Sequence, residues 1–499
     1  MKSKLLYILL VFSILSSCSD DYLETSPTSE LSKEDLGDAI KANPAVSEAT
    51  LRGMYALLNQ YGSGGTSSQV DFGIKSYDIS TDMVSGDMAQ NGNAYNKFWE
   101  DELLNAVKRT NLQTYRAWRF HYRVILAANN LIASSGTEEA PNEGGEFTWA
   151  QAKALRAYMY YQLVGIYGKG WAHKDDKVLP LYLSTDVSSG AKEQSTNELV
   201  LTTAKNDLIM AIKALDGYVK ESKTNIDANV AKGMLAYVCL ATEDYENAKK
   251  YSQEVIDVIG GNLMTADEVY NSGFRSIDIN GWMWGMEITT ENTTKIGGFF
   301  PMLDVWTYGY ASTPDRKRID RALYAKVDPN DIRRFQFMDN PNSSFDCIPW
   351  YKFWDANRVF DGDKQWTHDY VFMRVAEMYL INAEAKAFLN DPTAKDVLEF
   401  LISKRHAAGV IGSDTGEPVT TSMDVPVYDM SDLKKAANLQ WRIECWGEGK
   451  AYWVLKRFKY DSERGSNHHH KPNTTIPYDS DEITFQIPEN EVLNNPFME

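Results

Sequence analysis

The chain has 499 residues, with 51 Lys or Arg against 69 Asp or Glu and a formal charge of −18. Such a surface repels phosphate backbones and anionic headgroups, which excludes nucleic acid as a partner and electrostatic adhesion as the route to a membrane. Its four cysteines, Cys18, Cys239, Cys347 and Cys445, are far apart and include no Cys-x-x-Cys pair, so neither a disulfide framework nor the usual zinc spacing is present.

At the start, Lys2 and Lys4 precede an apolar run from Leu5 to Leu15, followed by Ser16-Ser17-Cys18. These are the charged, apolar and small-residue regions of a secretory signal, and the cysteine at the expected cleavage point reads as a lipobox. The run is too short to span a bilayer, which takes about 20 residues. Residues 1–17 are therefore predicted to be a removable signal, with the mature chain held to a membrane by acyl chains on Cys18, each buried methylene contributing about 0.8 kcal/mol. Losing Lys2 and Lys4 leaves 49 basic residues against 69 acidic ones, a charge of −20. Residues 18–31 are polar, begin with Asp20 and Asp21 close to the lipid site, and read as a tether. No long linker divides the remainder, so 32–499 is expected to form one body with elaborated loops.

Apolar residues at helical spacing, Tyr115, Trp118, Tyr122, Ile125 and Ala128, predict a helix over Asn111–Ile132. A second is predicted from Thr148 to Tyr167, with Thr148 and Gln151 as a capping box and Gly168 and Gly170 ending it. Ser195-x-x-Glu198 opens a third, carrying Leu199, Leu208, Ile212 and Leu215. From Asn229 to Ile259 two apolar stripes flank a turn at Glu243-Asp244-Tyr245, and small residues at Ala231, Gly233, Ala236, Ala241 and Ala248 let two helices approach closely. This is the helix-turn-helix grammar of a tetratricopeptide repeat, which needs neighbours to bury its apolar face. Helical pairs are thus expected over about 148–260, 371–407 and 431–458, with a strand within Gly281–Thr294. Two long insertions read as non-helical, about 62–101 and 295–315, and loops of that length are functional or disordered.

Several segments taken in order carry a family resemblance. They are Leu155-Arg156-Ala157-Tyr158 running to Gly168, then Leu179-Pro180-Leu181; Asp320-Arg321-Ala322-Leu323-Tyr324 with Asp331 and Arg333; Lys352-Phe353; Arg374 to Ala385; Arg442-Ile443-Glu444-Cys445-Trp446-Gly447-Glu448-Gly449-Lys450; and Phe485 to Glu489 with Asn495-Pro496. With the lipobox ahead of them, the chain resembles the SusD/RagB family of Bacteroidetes outer-membrane lipoproteins. The resemblance implies a mostly α fold, in which tetratricopeptide-like helical pairs form a right-handed superhelical scaffold with long loop insertions and a few short strands. It also implies a place on the outer face of a SusC-type TonB-dependent transporter, capture of oligosaccharide for import, no catalysis and no cofactor. Asp20-Asp21 is similar to the export signal of such lipoproteins, while Lys450 stands where the family commonly has arginine.

A glycan presents apolar C–H faces and hydroxyls, so its receptor needs flat aromatic platforms and a few fixed polar partners. Trp99, Trp306, Tyr308 and Tyr310 are the candidate platforms in the two insertions, and Asp82, Asn93 and Asp304 the candidate hydrogen-bonding groups. Trp99 fits packing of its loop equally well. Trp118, Tyr160, Tyr245, Trp441 and Trp453 fall on helix stripes and are expected in the core. Arg156, Arg374 and Glu377 are expected to pair between helices, and His468-His469-His470 to form a solvated loop. No Gly-x-Ser-x-Gly, His-Glu-x-x-His, Walker A, dinucleotide-binding or EF-hand pattern occurs. Two other readings use the same scaffold: a peptide or glycopeptide receptor, and a docking lipoprotein whose Trp306 loop serves a protein partner.

Overall fold

A computed structural model of the chain describes residues 44–185, 190–362 and 364–498. The signal, Cys18 and the tether lie outside the described residues. Helices of eight residues or more are numbered here; shorter ones are cited by range. In chain order come α1 (Pro44–Ala56), α2 (Ile74–Ser85), β1 (Met88–Ala89), α3 (Leu112–Ser135), α4 (Glu146–Tyr167), β2 (Lys177–Pro180), β3 (Gln194–Thr196), α5 (Asn197–Ala214), α6 (Ala228–Ala241) and α7 (Tyr245–Ile259). They are followed by β4 (Trp282–Met286), β5 (Arg318–Ile319), β6 (Tyr370–Arg374), α8 (Val375–Phe388), α9 (Ala394–Ser403), α10 (Leu433–Glu444), α11 (Ala451–Phe458), β7 (Ser462–Arg464) and β8 (Thr474–Ile476). Each helix from α3 to α7 packs on the next, α8 packs on α7, and α9 and α10 pack on α8. The fold is therefore mostly α, built from tetratricopeptide-like pairs, and among the described residues the strands form four two-stranded antiparallel ribbons. None of the described helices is long and apolar enough to cross a membrane.

Local chemistry explains the pairs. The side chains of Asp227 and Asp244 accept from the amides of Val230 and Asn247, so each helix of the central pair starts on an aspartate cap. Asn111 caps α3 in the same way. Trp118, Tyr160, Trp441 and Trp453 are buried; Tyr245 is half-buried and stacks on Phe388 at 4.6 Å and 8°.

The structure moves several boundaries. α4 begins at Glu146, which leaves Thr148 inside it, and the Gln151 side chain accepts from the Tyr55 hydroxyl and the Ile226 amide instead of closing a capping box. Ser195 is drawn into β3 opposite Leu179, so Thr196 caps α5, and Leu199 points outward, 51% exposed. Residues 370–374 are strand, paired with β4, before α8 begins. All five are buried, and a short apolar run hidden on every side has no periodicity that distinguishes strand from helix. The first insertion contains α2, with all twelve of its residues buried. Its polar side chains are paired internally: Lys75 to Asp78 at 2.6 Å, and Asp82 to the amides of Gly449 and Ala451. It shows no amphipathic stripe because no side of it meets water. His468 is buried rather than solvated, contacting Glu102 and the Gly86 carbonyl, although His469 is exposed. Cys239, Cys347 and Cys445 are buried free thiols.

The α8–α10 region is organised by a buried ionic cluster. Glu444 accepts from Arg374 (2.9 Å), from Arg405 (2.9 Å) and from Arg333 (3.0 Å). Glu448 accepts from Arg374 (2.7 Å) and Lys352 (2.9 Å). All six side chains are at most 2% exposed. Burial alone raises the Glu448 carboxyl, but Arg374 and Lys352 outweigh it and hold the group at about 2. Arg374→Met takes one cationic partner from each of two buried carboxylates and is expected to lower stability by about 3–5 kcal/mol, read from urea unfolding. Because the folded value lies below the unfolded one of about 4.3, Glu448 contributes stability above that pH and loses it as pH falls toward 2. Melting temperature is expected to drop through that window, less steeply in Glu448→Gln.

Candidate functional site

The two insertions meet and are held together by buried charges. The Asp315 carboxylate, fully buried, accepts from the amides of Ala94, Tyr95 and Lys97, each at 2.9 Å. Convergent amides of this kind form a cradle for an anion, here supplied by the protein itself. β1 pairs with β5 beside it, and the Lys317 ammonium donates to the Gln90 side chain and to the carbonyls of Lys97 and Asp315. Burial drives the Lys317 ammonium down to about 7 in spite of Asp315 and Asp101 nearby.

A second buried carboxylate, Asp304, accepts from the amides of Trp306 (3.1 Å), Thr307 (3.1 Å) and Asp355 (2.9 Å) and from the Thr307 hydroxyl (2.8 Å). Burial pushes its carboxyl up to about 6, against the pull of these donors. Asp304 thus fixes the 304–307 turn to the segment that runs from Trp350 to Trp366. Asp361 adds a tie to the Ser312 hydroxyl at 2.9 Å.

On this frame stand the rings. Tyr310 meets Tyr95 edge to face at 5.6 Å, has the Lys97 ammonium 4.6 Å over its ring, and donates its hydroxyl to Gln69. Tyr308 meets Trp366 edge-on at 6.3 Å, with Lys364 4.3 Å above it. Trp306 lies against Trp350 at 4.7 Å and carries the Arg358 guanidinium 4.3 Å from its ring; Arg358 also rests on Tyr351 and Trp354. Tyr95 is 58% exposed, and Trp306, Tyr308, Tyr310 and Trp366 are half-buried.

Of the residues singled out from the sequence, Trp306, Tyr308, Tyr310 and Asn93 lie on the loops that build this face. Asn93 is exposed and bonds to Asn96. Asp82 and Asp304 are fully buried and hold backbone amides, so they support the fold instead of presenting oxygens to solvent. The Trp99 ring packs on His469 at 4.7 Å, toward the β7–β8 hairpin. Sequence reasoning missed Tyr95, Gln69, Lys97, Lys364 and Trp366. Tyr95, a lone aromatic in the turn-forming run Asn91 to Asn96, was a usable signal; Trp366 lies about 50 residues beyond the second insertion and offered none. Rings held rigidly with one edge or face in water, beside amide and ammonium donors, suit a ligand that alternates C–H faces with hydroxyls.

Residues 338–498 match the family model described as SusD family, and residues 21–240 match one described as starch-binding, associating with the outer membrane. Curated proteins give no match. Among solved structures, the chain is similar to a SusD-like carbohydrate binding protein from Bacteroides vulgatus, at 23% identity, 91% of this chain, 97% of that one and a TM-score of 0.73. It is also similar to a SusD superfamily protein from Bacteroides thetaiotaomicron (18%, 91% and 98%, TM-score 0.70). A third similar structure is surface glycan-binding protein A from the same organism (15%, 90% and 96%, TM-score 0.62). At these identities the structural likeness speaks for the fold.

Asp315→Ala removes the acceptor from three amides at once. Hydrogen exchange at Ala94, Tyr95 and Lys97 is expected to accelerate at least tenfold, with far-ultraviolet circular dichroism unchanged and a stability loss of about 1–3 kcal/mol.

Proposed function

The chain belongs to the SusD/RagB family, and from that membership we propose that it captures oligosaccharide on the aromatic face between its two insertions. The observation that carries the reading is the convergence of Tyr95, Tyr308, Tyr310 and Trp366 on loops pinned by Asp304 and Asp315. Sugar C–H faces lie on the rings, and hydroxyls bond to Gln69, Asn93, Lys97 and Lys364. Lys97 and Lys364 sit over the tyrosine rings, so a sugar must push them aside, and affinity is modest. No bond is broken. The mature protein is tethered by acyl chains on Cys18, sits at the outer membrane facing outward with Asp20 and Asp21 as its export signal, and passes its cargo to a SusC-type transporter.

The ammonium groups on the ring faces also favour a second reading, a receptor for acidic peptides or glycopeptides. Calorimetry of the mature protein with a panel of neutral oligosaccharides and peptides separates the two. Tyr310→Ala and Trp366→Ala are each expected to weaken the bound oligosaccharide about tenfold. Peptide binding without sugar binding selects the second reading, and equal sugar affinity in wild type and both variants rejects the site. Cys18→Ala is expected to abolish the acyl mass and move the protein from the membrane to the soluble fraction.

A further inference from the structure

The outer face of α3 carries a groove of about 590 Å³ lined by Tyr115, Tyr122, Tyr182, Arg119 and Arg123, with Glu491 at one wall. Arg119 and Arg123 are four apart on the helix, so they share one face, and both are exposed. Five arginines elsewhere, Arg156, Arg333, Arg374, Arg405 and Arg457, each pair with a buried carboxylate. Arg119 and Arg123 do not. Among the described residues Arg119 reaches only the Tyr115 hydroxyl, at 3.4 Å, and Arg123 has no ion-pair partner. Beside the groove Lys192, which has no ion pair among the described residues, holds its ammonium 5.5 Å from the centre of the Tyr182 ring. The one carboxylate in the lining, Glu491, accepts from Asn495. Among the described residues the lining holds two guanidiniums against one carboxylate, a local reversal in a chain of charge −18.

We propose that this groove is a second binding site, for a saccharide that carries an oxyanion, carboxylate or sulfate. Guanidinium groups pair bidentately with carboxylate or sulfate oxygens, and the tyrosines between them offer faces for the sugar ring. A bare apolar ligand would leave the guanidiniums unused, and a neutral glycan would meet no matching charge. The turn 62–71 touches both Arg119 of the groove and Tyr310 of the aromatic face. Asp71 holds the turn through the amides of Gly64 (2.7 Å) and Thr66 (3.0 Å). Gly65 in it has φ +86°, and a Cβ there would collide with the Arg119 side chain, while Gln69 takes the Tyr310 hydroxyl. The site stands apart from the aromatic face in its ligand contacts, so either can fail without the other.

The test is calorimetry of the mature protein with three probes: an oligogalacturonate, a sulfated oligosaccharide and inorganic sulfate, each at 50 and 300 mM NaCl. At least one acidic saccharide is expected to bind, and to weaken about tenfold or more in each of Arg119→Ala and Arg123→Ala and at the higher salt. Which of the two binds identifies the oxyanion. The same variants are expected to leave neutral-sugar binding at Tyr310 unchanged, and Tyr310→Ala to leave most acidic-saccharide binding in place. Both Arg variants remove exposed side chains, and circular dichroism checks that they fold. Acidic-saccharide affinity unaltered by Arg119→Ala and Arg123→Ala overturns the proposal, as does inorganic sulfate binding as tightly as the saccharides, or no binding of either acidic saccharide to wild type.

Discussion

Glu444 and Glu448 are the points on which this structure turns. Between them they gather Arg333, Arg374, Arg405 and Lys352 from four distant stretches of chain: the segment after β5, the strand β6, the end of α9 and the loop that leads into the aromatic face. Charges so deeply buried cost several kcal/mol each to desolvate, and only the bidentate geometry recovers it. The cluster therefore tolerates few alternative arrangements, which makes it a registration device as much as a source of stability. The neighbouring glycines serve it. Gly447, at φ +75°, lies where a Cβ would come within 2.7 Å of the Phe353 ring, and Gly449, at φ +69°, leaves no space for one beside Asp78. The chain can thus present Glu448 between two close approaches, one to the loop that follows Lys352 and one to α2.

That registration reaches the surface through two more carboxylates. Asp304 and Asp315 are placed where side chains of loops usually face water, yet both are buried and spend their oxygens on backbone amides. Loops without regular structure need this, because their amides have no ladder or helix to satisfy them. The outcome is a set of rings whose positions are fixed by the fold itself. On the proposed function, less conformational freedom is then lost when a sugar lies on them, and a few contacts can give useful affinity.

Much of the body was legible in the sequence because its helices are amphipathic and conventionally capped. The pair Ala228–Ala241 and Tyr245–Ile259 could be read from its small residues and its Asp244 turn to within a residue or two. What escaped was whatever is buried on all sides. α2, with Lys75, Asp78 and Asp82 along it, resembles a polar loop until its internal pairing is known, and the strand Tyr370–Arg374 looks like the first turn of the helix behind it. The triple histidine misled for a similar reason, since Glu102, more than 360 residues away, draws His468 inward.

The candidate site was half legible. Aromatic residues in a long insertion marked Trp306, Tyr308 and Tyr310, but residue type cannot tell a carboxylate that faces ligand from one that ties down amides, as Asp304 does. Nor can it foresee that Tyr95 and Trp366, from separate stretches, complete the face. The most direct measurement is a crystal structure of the mature protein with a bound neutral oligosaccharide. The expected result is a sugar ring lying on Tyr308 or Tyr310 with Lys364 or Lys97 displaced from it. A sugar seated on the helical pairs, with both insertions bare, contradicts the assignment.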